Sequence, residues 1–363
     1  MASISVVKVG TSSIAKESGE LDDAALRKLA GDLASARRDG HDLVLVMSGA
    51  IAAGMPALGL DRRPTDIGTL QAIAAVGQPL LLARMNALLG PLGIVAGQVL
   101  LTPYDFTHRS QYLHARETLQ RLRELGVMPV VNENDTIADD EIRYGDNDLL
   151  AALVSHLVYA DTLLLLTDTG GLFTADPRRD AGASLIEEIV EVDDAVEQAA
   201  GGAGTERGSG GMASKLAAAK IAAWSGVRAV IASASAPDVI SNALAGRAVG
   251  TSFAPRATRL SARKLWIAFA QGATGRITVD AGARSALVDG GKSLLAAGVR
   301  DVTGVFDTDA PIEIAGDDGR VFAKGLCRYG ASQLRAVAGK RSVDLPAGSP
   351  QEVVHRDDLV VLP

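Results

Sequence analysis

The sequence predicts an α/β fold, a mostly parallel sheet covered by helices on both faces, followed by a small β-rich domain. Three observations carry this expectation. From residue 1 to about 255, short β-rich apolar runs alternate with longer alanine- and leucine-rich segments, the pattern of strand and helix in turn. The runs are nearly continuous in apolar residues, as strands buried on both sides must be. Beyond about residue 255 the texture changes to short alternating stretches with turn residues between them. At 363 residues the chain also exceeds one core of ordinary size, since domains hold roughly 100–200 residues.

Taken in order, "SISVVKVG" reads as the first strand and "DDAALRKLAGDLASARRDG" as the helix that returns the chain. "HDLVLVMSG", "GIVAGQVLL", "VMPVVNEN", "DTLLLLTD" and "RAVIASAS" read as the strands that follow. After "SFAPRATRLSARKLWIAFA" come "GRITVDAG", "DVTGVFDTDAPIEIAG", "RVFAKGLCRYG" and "DDLVVLP", a small β-rich unit with one or two helices. The expected boundaries are 1–255 for the first domain, 256–274 for a linker and 275–363 for the second.

Charge narrows the partners. Lys plus Arg total 36 against 43 for Asp plus Glu, a net charge of −7 that suits neither nucleic acid nor an anionic membrane as the main partner. A small ligand is expected instead. The single cysteine, Cys327, can form no internal disulfide, which points to a reducing, cytoplasmic setting and a buried thiol. No membrane span is expected: the stretch 80–101 is interrupted by Arg84, Asn86, Pro91 and Gln98, whereas a span needs ~20 mostly apolar residues.

In such sheets the ligand crevice lies beyond the carboxyl ends of the strands. Lys8 to Ser12, Ser48 to Ala50, Asn132 to Asp135 and Thr167 to Gly171 therefore become the candidate residues. A lysine near the end of a buried strand, as in "KVGTSS", calls for an anion, and the small residues after it leave backbone N–H groups open to phosphate. "GSGGMASK" (208–215) is a glycine-rich approach to a helix that ends on a mobile cation, Lys215, without the spacing of a P-loop. Thr167 and Asp168 suit a nucleotide's base or ribose, or a plain strand exit. Ser48 opens a turn whose N–H groups would hold a carboxylate. The stretch 131–148 packs seven carboxylates into eighteen residues; its middle alternates like a hairpin, while "NEND" and "GDND" lie at the crevice.

In order, "VVKVGTS", "VMSGAIAAG", "AAVGQ", "PVVNENDTI", "GDND", "LLLLTDTGGLFTADP" and "GGMASK" resemble the amino acid kinase family, and the pairing of "NEND" with "GDND" resembles its glutamate-phosphorylating branch, which carries a C-terminal PUA domain. The resemblance covers essentially the whole chain, with Ser214 standing where the family often has threonine. It implies a three-layer αβα sandwich and phosphorylation of the γ-carboxylate of L-glutamate by ATP with Mg²⁺, in the first step of proline biosynthesis. Lys8, Thr167, Asp168 and Ser209, Gly210, Gly211, Met212, Ala213, Ser214 and Lys215 would bind ATP. Ser48, Asp135 and Asn147 would bind glutamate, with Asn132 and Asp146 near them. Lys8 and Lys215 would stabilise the transition state and Asp148 would orient both lysines. The α-ammonium needs an anionic acceptor such as Asp135 and the α-carboxylate needs donors such as Ser48, while Asn147 can serve as either. The resemblance further implies proline as feedback inhibitor, a homo-oligomer and transient contact with glutamate-5-semialdehyde dehydrogenase. The alternatives are another carboxylate kinase such as an acetylglutamate kinase, or an RNA-binding or regulatory protein acting through its PUA domain.

Overall fold

The computed structural model describes residues 3–362 apart from 17–18, 138–146, 178–179, 181, 201–210, 258 and 270–272. The chain divides into two compact units, Met1–Arg259 and Leu260–Pro363. The first unit begins with β1 (Ile4–Val9), α1 (Asp23–Arg38), β2 (Asp42–Met47), α2 (Ala50–Ala57), α3 (Ile67–Leu89) and β3 (Ala96–Leu101). It continues with α4 (Pro103–Thr107), α5 (Arg109–Glu124), β4 (Met128–Glu133), α6 (Asn147–Leu157) and β5 (Thr162–Thr167). β6 (Glu188–Ile189), α7 (Asp194–Ala199), α8 (Met212–Trp224), β7 (Arg228–Ser233), α9 (Val239–Leu244) and β8 (Gly250–Phe253) complete it.

These strands form one sheet in the order β3-β4-β2-β1-β5-β7-β8-β6, parallel except for the β7–β8 pair. β1 lies in the interior of the sheet, and side-chain alternation divides it between the two helical layers. Val7 and Val9 join Leu43, Leu45, Leu164 and Leu166 in a core with Leu26 and Leu33 of α1, Leu81 and Met85 of α3 and Ile240 of α9. The intervening residues, Val6 and Lys8, turn to the opposite face, where α6 and α8 pack on the sheet. α1 illustrates why these helices form. Asp22 caps its first turn by accepting from the N–H groups of Ala24 and Ala25, and Leu26, Leu29, Ala30 and Leu33 fall on its buried face.

α2 and α3 cross with their backbones in contact. A Cβ on Gly54 would lie 2.2 Å from the carbonyl oxygen of Ile73, and one on Gly77 would lie 1.8 Å from that of Ala50. This contact seats the turn before α2, where Gly49 holds a φ of +111° that a side chain would strain. The segment Ile67–Leu92 is long and apolar enough to cross a membrane by length and composition alone. Its Leu70, Ile73, Leu81, Met85 and Leu89 are nevertheless buried in the first unit at helical spacing.

The second unit holds α10 (Ala262–Phe269), β9 (Gly275–Val279), α11 (Ala281–Val288), β10 (Leu294–Leu295) and β11 (Val299–Gly304). β12 (Ala310–Ala315), β13 (Val321–Cys327), α12 (Ala331–Val337), β14 (Glu352–Val354) and β15 (Leu359–Val361) follow. Its main sheet runs β11-β9-β12-β13-β15 over a core that includes Ile277, Ile312, Ile314 and Leu334. Burial pushes the Cys327 thiol up to about 11. The stretch 256–274, expected as linker, carries α10, which packs on β13 and β15.

Gly77→Ala is expected to lower unfolding stability by about 3 kcal/mol, because backbone meets backbone at that point and no rotamer can relieve the overlap. Gly68→Ala on the same helix, where a Cβ meets nothing within 4 Å, is the control and should be neutral or stabilising in the same urea titration.

Candidate active site

Lys8 is the penultimate residue of β1, in register with Val46 of β2 and Leu165 of β5, so its ammonium emerges in the interior of the sheet. Its Nζ lies 2.5 Å from Oδ1 of Asp148, the second residue of α6. The other carboxylate oxygen, Oδ2, accepts from Nζ of Lys215 on α8 at 3.1 Å. All three side chains are buried, Asp148 completely. An unpaired charge at that depth would cost several kcal/mol, so each charge depends on the others. Within this triad two ammonium groups face one carboxylate. Ser214 adds a longer contact, its Oγ 3.4 Å from Asp148 Oδ2.

A cleft of about 800 Å³ lies over the two lysines at the carboxyl end of the sheet. Three helices begin there: Ala50 of α2, Asn147 of α6 and Met212 of α8 all line it. Unsatisfied N–H groups and the positive end of each helix dipole favour an anion at such points. With Lys8 and Lys215 they make the middle of the cleft a site for a polyanion.

One end of the cleft is built of amides and a hydroxyl. Asn147 Nδ2 donates to Ser48 Oγ at 2.8 Å and to Asn132 Oδ1 at 2.9 Å. Asn132 Nδ2 donates in turn to Gln78 Oε1 of α3 at 2.8 Å. Asp135, just beyond β4, also lines this end. Burial pushes its carboxyl up to about 6, with Arg63 opposing the shift. At the other end Thr167, buried at the close of β5, donates from Oγ1 to Asp168 at 3.1 Å, and Phe173 and Pro177 form part of the wall.

Lys8, Ser48, Asn132, Asp135 and Asn147, all expected from the sequence, line this one cleft, as do Thr167, Asp168, Gly211, Met212 and Lys215. Asp148 lies beneath it between the lysines. Ala213 is exposed on α8 and is absent from the lining. Asp146, Ser209 and Gly210 fall outside the described residues, as does the middle of the acidic stretch. Two residues escaped the sequence reading. Arg63 sits in a polar loop without periodicity, and Gln78 stands in "AAVGQ" with no mark of its role beyond being a polar residue in an apolar helix.

Residues 3–233 match the amino acid kinase family and residues 275–348 match the PUA domain. The chain is 46% identical over 364 residues to the glutamate 5-kinase of Anaeromyxobacter dehalogenans, covering 98% of this chain and 96% of that protein. It is 48% identical over 364 residues to the glutamate 5-kinase of Gloeobacter violaceus, covering 98% and 99%. Among solved structures, the carbamate kinase from Giardia lamblia bound to AMP-PNP superposes with a TM-score of 0.52 at 15% identity, covering 70% of this chain and 99% of that one, a likeness of fold alone. With relatives this similar along nearly its whole length, the chain belongs to the amino acid kinase family and, within it, to the glutamate 5-kinases.

Proposed function

We propose that the protein transfers the terminal phosphoryl group of ATP to the γ-carboxylate of L-glutamate, giving L-glutamyl 5-phosphate at the start of proline biosynthesis. The observation that carries this reading is the buried Lys8–Asp148–Lys215 triad beneath a cleft where three helices begin. A side-chain carboxylate with a pKa near ~4.3 is already an anion at neutral pH, so the acceptor needs no general base. What the reaction requires is the approach of two anions and stabilisation of charge on the group in transit. Lys8 and Lys215 supply that charge, and Asp148, paired to both, holds their ammonium groups in place. Among the described residues no three His, Cys, Asp or Glu side chains gather as a metal-holding group. Mg²⁺ keeps several of its waters and would arrive on the ATP phosphates, where it would neutralise phosphate charge.

In this reading ATP occupies the end formed by Thr167, Asp168 and the start of α8, and glutamate the end formed by Ser48, Asn132, Asp135 and Asn147. Asp135 accepts from the α-ammonium, and Ser48 with the N–H groups at the start of α2 meets the α-carboxylate. Ionised, Asp135 is costly to the unliganded protein, because a carboxyl raised to about 6 destabilises the fold above that pH relative to the unfolded chain. A bound ammonium would offset that cost.

The direct test is glutamate-dependent ADP release with the acyl phosphate trapped by hydroxylamine. A hydroxamate formed from N-acetylglutamate and not from glutamate would reassign the substrate. Lys8→Ala and Lys215→Ala are each expected to lower kcat by roughly 10²–10³ while KM for glutamate stays within about threefold. A near-normal kcat in either variant removes that lysine from the mechanism.

Feedback inhibition belongs to the same proposal. Proline keeps an α-carboxylate and a cationic nitrogen and lacks the γ-carboxylate, so it would occupy the recognition end of the cleft without reacting. Only the ionised form of Asp135 accepts from either ligand. KM for glutamate and Ki for proline should therefore both rise as pH falls through 6, by about tenfold at pH 5. Asp135→Asn should remove that pH dependence and weaken both ligands by roughly 1.5–3 kcal/mol. Inhibition non-competitive with glutamate, or a Ki indifferent to Asp135→Asn, would place proline at a separate site.

A further inference from the structure

We infer that Gln78 is a positioning residue for the substrate: acting through Asn132, it fixes the side-chain amide of Asn147 so that its carbonyl oxygen faces the ligand. This rests on the assignment of the Asn147 end of the cleft to glutamate.

The nitrogen and oxygen of a side-chain amide are told apart by their partners. Here two backbone groups settle the matter, because a backbone N–H can only donate and a backbone carbonyl can only accept. The N–H of Glu133 lies 2.9 Å from Asn132 Oδ1, so that atom is an oxygen. The opposite side of the Asn132 amide is then NH₂, which needs an acceptor and finds Gln78 Oε1. Asn147 approaches the same Asn132 oxygen at 2.9 Å, so it must present nitrogen there. The backbone carbonyl of Met47, 3.3 Å from that nitrogen, demands the same orientation.

The polarity of the network has two consequences at the ligand. The two hydrogens of the Asn147 NH₂ go to Ser48 and Asn132, with the Met47 carbonyl a longer contact, which leaves Oδ1, without a hydrogen-bond partner among the described residues, as its group for substrate. Ser48 Oγ accepts from Asn147, so the hydroxyl hydrogen remains to donate. A donor and an acceptor side by side match the carboxylate and ammonium of an α-amino acid.

Gln78 is 8% exposed and Asn132 2%. Gln78 also follows Gly77 directly, so the contact that seats α3 on α2 places its side chain. Its own Nε2 is buried without a partner among the described residues, which leaves the acceptor oxygen as its contribution. If that oxygen is removed, the buried NH₂ of Asn132 loses its acceptor. Reversing the Asn132 amide would then aim NH₂ at two donors, the Glu133 N–H and Asn147. The first arrangement leaves a buried NH₂ without its acceptor and so weakens the orientation on which Asn147 relies, and the second presents NH₂ to Asn147 where it needs an acceptor.

The test is steady-state kinetics of the full chain with glutamate, with glutarate (the same diacid without the ammonium) and with ATP. Gln78→Leu is expected to raise KM for glutamate about tenfold, to leave KM for ATP within about twofold, and to narrow the preference for glutamate over glutarate. Gln78→Glu, which keeps an acceptor oxygen, should return KM for glutamate to within about threefold of wild type. Glutamate and ATP constants rising together, an unchanged preference over glutarate, or Gln78→Glu as impaired as Gln78→Leu would each overturn the inference. If Gln78→Leu does not fold, Gln78→Met takes its place at closer volume; if neither folds, Gln78 is a packing residue and the inference fails. A wild-type protein without glutamate turnover would instead defeat the substrate reading on which this one stands.

Discussion

A carboxylate with no exposure, held between two lysines, ties together elements from across the first unit. Lys8 comes from an interior strand of the sheet, Asp148 from the start of α6 and Lys215 from α8, so strand and both helices must be in place for any of the three charges to be tolerated. The cost of an isolated buried charge makes the arrangement all-or-none. The same geometry sets two ammonium groups at the floor of a cleft where three helices begin. An electrostatic requirement of the fold thereby becomes a preorganised anion site, without side chains having to be recruited from the surface.

The other end of the cleft follows a different rule, in which hydrogen-bond direction and backbone contact replace charge. Glycines at 54 and 77 bring α2 and α3 together closely enough that the turn carrying Ser48 and the helix carrying Gln78 share one interface. Between them Asn132 and Asn147 form a chain of amides whose orientation is dictated by two backbone groups. A buried polar network of this kind is useful only when nearly every member is satisfied. Among the described residues, the buried side-chain atoms of this network left without a partner are Gln78 Nε2 and Asn147 Oδ1.

Asp135 links the two regimes. Burial raises its carboxyl towards neutrality, while Arg63 opposes the shift. The acidic stretch that follows β4 is therefore no uniform field of solvated charge, because at least one member is held where ionisation is costly.

Much of this was legible in the chain itself. Continuous apolar runs can be buried only on both faces, so alternation with helical segments suffices for the parallel sheet, and the placement of the ligand crevice beyond the strand ends picks out Lys8, Ser48, Asn132 and Thr167. What remained hidden depends on distance in sequence. Nothing local to residues 8, 148 and 215 says that one carboxylate lies between two lysines, since the pairing exists only once β1, α6 and α8 pack. The antiparallel return of β8, the helix α10 within a stretch that reads as linker and the approach of Arg63 are likewise set by neighbours far along the chain. Gln78 is the plainest case. In sequence it is one polar residue in an apolar helix; its role comes from its contact with Asn132 of β4, an amide oriented by the backbone N–H of Glu133 beside it. Periodicity and residue type determine which elements form and where they end, whereas the direction of a hydrogen bond and the neighbour of a buried charge are properties of the assembled fold alone.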